Sequence, residues 1–186
     1  MQRFRSDRML GLMSLFLFIL TIPAGNWVVM NVGTVCPPDG PCLIPVWPGI
    51  MSPSAVLFAG LALILRDAVQ SLLGKCWTLV AIGIGALLSG LLSEPAIILG
   101  STCAFLFSEL ADFAVYTPLR ERHLSLAIVL SGLVGSVVDS VIFLSLAFGS
   151  LDFVVGQVIG KFWMSLIAGA MLLMWHARPK AEQTQR

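Results

Sequence analysis

Apolar segments of about 20 residues recur along nearly the whole chain, and that repetition leaves it one medium to fold in, the lipid bilayer. Lipid offers a backbone no hydrogen bonds, so such segments satisfy their own as helices. A crossing helix needs ~20 residues. A chain of 186 residues therefore has room for about six and little else. Of its residues 58% are hydrophobic and 11% charged, against about 25% charged in an average soluble domain. The sequence predicts an all-α integral membrane protein, a single bundle of six transmembrane helices over residues 1–186. No soluble catalytic module fits beside it. The net charge of +1 and the lack of a basic cluster give nucleic acid no surface, and lipid is the expected surrounding.

The predicted spans run about Met9–Met30, Ser54–Leu73, Trp77–Leu92, Ala96–Tyr116, Ser125–Phe148 and Phe153–Trp175. Gly, Pro and charged residues punctuate them. The third is the shortest and rich in Gly. Orientation follows from Lys and Arg. Arg3, Arg5 and Arg8 precede the first span; Lys75 lies between the second and third, and Arg120 and Arg122 between the fourth and fifth. Arg178, Lys180 and Arg186 follow the sixth. The opposite loops carry Asp39, Glu94 and Asp152. Both termini are therefore expected in the cytoplasm. The first span also has the form of a signal peptide, a basic start before Met9–Ile22. No A-x-A site follows and the apolar run resumes after Pro23, which favours an uncleaved helix. The last ten residues are polar and read as a frayed tail.

The outer stretch Asn31–Pro53 is rich in Pro and Gly and contains Cys36-Pro-Pro-Asp-Gly-Pro-Cys42. On an oxidising face two cysteines so close across a turn can form a disulfide, a clip on a lid loop. Cys76 and Cys103 have no evident partner.

Six ionisable side chains fall inside the spans: Arg66, Asp67, Glu109, Asp112, Asp139 and Lys161. Each costs on the order of 2.5–3.5 kcal/mol on insertion scales, so such residues usually line a pocket, a pore or a proton path. Four are acidic. A buried acidic excess favours a cationic or hydrogen-bond-donating ligand, or it holds protons. Helical rise puts Glu109 and Asp112 ~6–10 Å from the cytoplasmic end, with Arg66 and Asp67 at similar depth. Asp139 and Lys161 lie nearer the outer face. Two tiers result: Arg66 within reach of Glu109 or Asp112, and Asp139 within reach of Lys161. Arg66 and Asp67 also have a bland reading, as residues snorkelling to the interface.

Helical spacing puts Glu109 and Asp112 on one face, with Ser108 and Tyr116 flanking Asp112. Gln157 and Lys161 share a face, as do Ser136, Asp139 and Phe143. Phe105, Phe162 and Trp163 lie near. A flat ligand with polar edges suits such a site, stacked on a ring and held by carboxylate and amide. Asn26, after Pro23 and Gly25, either caps a kinked helix or joins the site. Gly156-x-x-x-Gly160, Gly132-x-x-x-Ser136 and Ala86-x-x-x-Gly90 are close-packing patterns, expected at helix contacts inside the bundle. Trp77, Trp175 and Trp27 fit interfacial belts. Enzyme signals are thin. His123 and His176 sit at span ends. Lys161 and Ser165 have the spacing of a Ser/Lys dyad, without an oxyanion donor set. No phosphate loop or zinc motif is present, so neither a cofactor nor a metal is expected.

The pattern Glu109-Leu-Ala-Asp112 through Pro118-Leu-Arg120 resembles the VUT family, the YhhQ-type queuosine-precursor transporters. The next span continues the resemblance with Ser131-Gly-Leu-Val-Gly-Ser-Val-Val-Asp139-Ser-Val-Ile-Phe143 and then Ala147-Phe148. Gln157-Val-Ile-Gly-Lys161 is similar to the family's polar-residue-to-Lys spacing, Asn26-Trp27 to its Asn-aromatic pair, and Asp67 with Gly74 to its second-span motif. Ser71 stands where many members carry a second acid, and the two-Cys outer loop is unusual. The resemblance implies a multi-pass protein of the bacterial inner membrane, importing 7-cyano-7-deazaguanine (preQ0) and/or 7-aminomethyl-7-deazaguanine (preQ1). A modified purine base would be its small-molecule partner, held by Asp112, Asp139 and Glu109 at the donor edge. Gln157, Lys161, Asn26 and Asp67 would complete the site. A substrate-binding subunit of an ATPase-driven importer and an intramembrane enzyme remain open as alternatives. So do a homodimer, and proton coupling against facilitated diffusion.

Overall fold

The computed structural model describes residues 2–38, 40–95 and 97–176. Asp39, Arg178, Lys180 and Arg186, four of the charges used for orientation, lie outside the described residues, as do the side chains of Arg3, Arg5 and Trp175. Six helices form in chain order: α1 (Gln2–Asn31), α2 (Val56–Leu73), α3 (Lys75–Leu92), α4 (Ile98–Leu119), α5 (Leu124–Phe148) and α6 (Val154–His176). Each contains one of the predicted spans to within a few residues, and α1 begins earlier than its apolar run. Helices α1 to α5 are long and apolar enough to cross a membrane, and in α6 the described residues Val154–Ile167 form an apolar stretch. Gly74 alone separates α2 from α3. Its φ of +93° is open to glycine at little cost and strained for any other residue, so the chain reverses there in one step.

The expected outer loop is instead partly a β-hairpin. Strand β1 (Leu43–Trp47) pairs antiparallel with β2 (Ile50–Pro53). Pro48-Gly49 supplies the turn: Pro fixes φ at its first position, and Gly49 takes φ +77° at its second. The alternating pattern of a half-buried strand is weak here, because Pro45 and Pro53 interrupt it. A disulfide joins Cys36 to Cys42, and Val35 bridges to Leu43. The clip thus holds the chain against the start of β1.

Polarity is inverted relative to a soluble bundle. Leu87, Leu91, Leu99, Val134, Val137 and Ile167 face outward, whereas Ser89, Ser101, Ser108, Ser131, Ser136 and Ser140 are buried. Ser136 and Ser140 hide their hydroxyls by donating to the carbonyls of Gly132 and Ser136, one turn back. Phe18, Ala62 and Ala81 form one apolar core between α1, α2 and α3. Tyr116, Ala127 and Ile128 form a second between α4 and α5.

The small-residue patterns divide. Gly132 faces Ser165 of α6, and Gly90 faces Thr102 of α4, as helix contacts. Gly156-x-x-x-Gly160 makes the expected helix contact at Gly160, against Val56 of α2, and serves a further purpose. A Cβ on Gly156 would stand 2.2 Å from the Met51 carbonyl oxygen of β2, and one on Gly160 would meet Val56 and Val46. That stripe seats the hairpin on α6. Trp47 of the hairpin stacks on Trp163 of α6 with centroids 6.0 Å apart.

Candidate functional site

All six helices and the hairpin contribute to one cavity of about 90 Å³. A single water needs about 10–15 Å³ by this measure, so several fit. Helix α1 lends Thr21, Gly25 and Asn26; α2 lends Phe58 and Ala59; α3 lends Ser89; α4 lends Ser101 and Phe105. Asp139 and Phe143 come from α5, Gln157 and Lys161 from α6, and Pro53 of the hairpin is part of the wall. A smaller space of about 30 Å³ adjoins it, lined by Ser108, Glu109, Asp139 and Lys161 among others. Asp139 and Lys161 belong to both walls.

Lys161 spends its three ammonium hydrogens inside the protein. It pairs with Asp139, and donates to Ser140 Oγ at 3.0 Å and to Gln157 Oε1 at 2.7 Å. Gln157 lies one helical turn before it, which is why the spacing is visible in sequence. Asp139 keeps the most exposed carboxylate of the membrane interior, 19% accessible, with only a long contact of 3.5 Å from Ser108 Oγ. The pair presents an acceptor to the cavity without net charge.

Opposite, Asn26 sits in a ring of serines. Its Nδ2 donates to Ser93 Oγ at 2.8 Å, Ser101 Oγ donates to its Oδ1 at 2.9 Å, and Ser89 and Ser101 join at 2.8 Å. Pro23 within α1 leaves a nearby backbone hydrogen bond unmade, in the segment where Asn26 turns inward. Of its two sequence readings, the structure places Asn26 on the cavity wall rather than at a helix end.

Below the cavity lies a second charged cluster, sealed from it except at Glu109. Arg66 donates through Nε to Glu109 at 3.1 Å, pairs through Nη1 with Asp67 at 2.8 Å, and pairs through Nη2 with Asp112. All four side chains are 0–4% exposed. Tyr116 lies under the guanidinium, 5.6 Å from ring centroid to Cζ. Arg120 approaches the same ring at 5.9 Å and donates to the Gln70 carbonyl at 2.8 Å. A planar guanidinium spreads five donors over three nitrogens, and here each nitrogen takes a different carboxylate.

The sequence-derived site residues therefore separate into two groups. Asn26, Asp139, Gln157 and Lys161 share the main cavity, with Glu109 at the adjoining space. Asp67 and Asp112 line neither; they hold Arg66. The snorkelling reading of Arg66 and Asp67 fails, since both are buried. Of the aromatics, Phe105 and Phe143 line the cavity, while Phe162 and Trp163 do not. Sequence reasoning missed Phe58, Ser89, Ser93 and Ser101. A serine in an apolar helix gives no signal by itself, because most hydroxyls there bond to their own backbone. The Lys161/Ser165 dyad is not assembled: the ammonium is engaged elsewhere, and Ser165 Oγ has no hydrogen-bond partner among the described residues. No group of His, Cys, Asp or Glu among the described residues is arranged to hold a metal.

A family model described as "Putative vitamin uptake transporter" matches residues 46–176, from β1 to the end of α6. The chain belongs to this vitamin uptake transporter family. The match takes in five of the six helices and every intramembrane charge; Asn26 on α1 lies before it. No curated protein and no solved structure matches the chain. A multi-pass transporter of the vitamin uptake family accounts for the inverted polarity and for a polar cavity at the meeting point of all its helices.

Proposed function

We propose that this vitamin uptake transporter imports a queuosine precursor, preQ0 and/or preQ1, across a bacterial inner membrane through six spans, with both termini in the cytoplasm. The observation that supports the reading is the cavity itself. It brings one partly exposed carboxylate, Asp139, whose other oxygen is held by Lys161, and two amides, Asn26 and Gln157, together with Phe105 and Phe143. A deazaguanine is flat, offers adjacent N–H groups to a carboxylate, and has acceptors for amides in its carbonyl and, in preQ0, its nitrile. In this reading Asp139 takes the donor edge, the phenylalanines stack on the ring, and Glu109 lies at the exit toward the cytoplasm. Asp67, Asp112 and Arg66 are the scaffold beneath.

Thermal unfolding of the purified protein with preQ0, preQ1, guanine, adenine and queuine tests this. A ligand of the folded state raises the melting temperature by mass action. The expected result is a shift with a deazaguanine that disappears in Asp139→Asn. Folded protein that responds to none of the five overturns the purine assignment and leaves the transporter family standing.

A further inference from the structure

Taking the cavity as the substrate site, we propose that its two amides are locked in orientation, Gln157 with its NH2 as the free end and Asn26 with one N–H unspent, so that it selects an uncharged ligand bearing acceptor groups for Asn26 and Gln157 and a donor for Asp139. Ser89, Ser93, Ser101 and Lys161 are then positioning residues, acting through the amides they orient.

The orientation of Gln157 follows from Lys161. An ammonium donates and cannot accept, so the amide atom 2.7 Å from Nζ is the oxygen. The nitrogen is the other branch of the same planar group, and it meets no acceptor among the described residues.

The orientation of Asn26 follows from one backbone carbonyl. Ser93 Oγ lies within hydrogen-bond distance of Ser89 O, which carries no hydrogen, so the Ser93 proton is the one between them. Ser93 Oγ can then only accept, and the Asn26 atom facing it is Nδ2. Asn26 Oδ1 must accept in turn, so Ser101 donates to it. Having used its only proton, Ser101 accepts from Ser89. The ring runs in a single direction, and Asn26 retains one N–H without an acceptor among the described residues.

Charge sets the remaining requirement. Asp139 and Lys161 are the two ionisable residues on the main cavity wall among the described residues, and they neutralise one another. Glu109, at the adjoining space, shares Arg66 with Asp67 and Asp112, so the acidic excess lies in that cluster and off the main cavity wall. A cationic ligand would compete with Lys161 for Asp139 and set N–H groups against N–H groups.

The probes are preQ0 and preQ1, which share a ring and differ in one substituent, a nitrile acceptor against an aminomethylammonium donor. Affinity for both is measured by calorimetry on the full chain in detergent, with folding checked by its melting curve. The wild type is expected to prefer preQ0 at least tenfold. Gln157→Glu keeps a partner for Lys161 but removes the donors, and is expected to narrow that ratio. Ser93→Ala frees the Asn26 amide to turn and is expected to narrow it as well. A merely structural role would weaken both ligands together and leave the ratio unmoved. Equal wild-type affinities, or a ratio unchanged in both variants, overturn the locked-donor assignment while the purine reading survives. Folded wild type that binds neither probe overturns both.

Discussion

Arg66 and Glu109 are 43 residues apart in sequence and 3.1 Å apart in space. That one bond ties α2 to α4 between side chains only 0% and 2% exposed, and Asp67 and Asp112 complete the guanidinium's surroundings. Removing a partner from a buried ionic group costs more than the group contributed, because the remaining charge is stranded; about 3–5 kcal/mol is usual. Arg66→Leu strands three carboxylates. We expect it to lose that much stability, seen as a collapse of the monodisperse peak in detergent chromatography. Arg66→Lys should recover little, since a single ammonium lacks the fork that spans three acids. Recovery of the wild-type melting temperature in Arg66→Lys would show that charge alone, and not the fork, holds the cluster.

Three glycines separate packing against backbone from packing against side chain. A Cβ on Gly156 meets the Met51 carbonyl at 2.2 Å, one on Gly132 meets the Ser165 hydroxyl at 2.2 Å, and one on Gly83 meets nothing within 4 Å. Alanine in a helix gains about 0.8–1 kcal/mol over glycine. Gly83→Ala should therefore stabilise slightly. Gly132→Ala should fall between, because the Ser165 hydroxyl can rotate away while its Cβ, 3.0 Å from the new methyl, cannot. Gly156→Ala forces a backbone to move and should cost about 1–3 kcal/mol. Melting temperatures ordered Gly83→Ala, Gly132→Ala, Gly156→Ala from highest to lowest are the expected outcome; Gly156→Ala at or above the other two would refute the seating of the hairpin on α6.

The helices were legible because lipid removes the ambiguity of the pattern: a long apolar run has no other way to satisfy its backbone. The charged residues were legible for the same reason, since each one is anomalous there. Depth along a helix even placed Arg66 level with Glu109, and Asp139 level with Lys161. What stayed hidden was rotation and partner choice. Asp112 and Glu109 share a face in sequence, yet Asp112 is sealed against Arg66 while Glu109 reaches the cavity's edge. Nothing in the spacing distinguishes them. The serine ring depends on contacts between α1, α3 and α4, 67 and 75 residues apart, and no local pattern announces it. The hairpin was missed because its prolines break the strand alternation and its stability comes from α6.

The Cys36–Cys42 bridge closes a loop of sequence separation 6. Loop-closure entropy for so short a loop is worth about 2 kcal/mol, and it acts on the hairpin segment rather than on the helices. A reductant, or the Cys36→Ser/Cys42→Ser pair, should leave helical circular dichroism unchanged and speed proteolysis between residues 31 and 53. Because Pro53 is part of the cavity wall, ligand affinity should fall modestly as well. Loss of helicity on reduction would mean that the clip supports the bundle itself.

Exchanging the upper pair, Asp139→Lys with Lys161→Asp, separates charge balance from hydrogen-bond direction. Either single change leaves two like charges facing each other where Asp139 and Lys161 now attract, and should destabilise strongly. The double exchange restores opposite charges across α5 and α6 and should bring the melting temperature most of the way back. Function should not follow. A carboxylate at position 161 accepts only, so Gln157 would turn its N–H groups toward it and its oxygen away. The cavity would then present an acceptor where it now presents donors, and an ammonium where it now presents a carboxylate. Restored folding with preQ0 binding still absent is the expected result. Binding restored along with folding would show that the pair serves only to neutralise charge and that its direction carries no recognition.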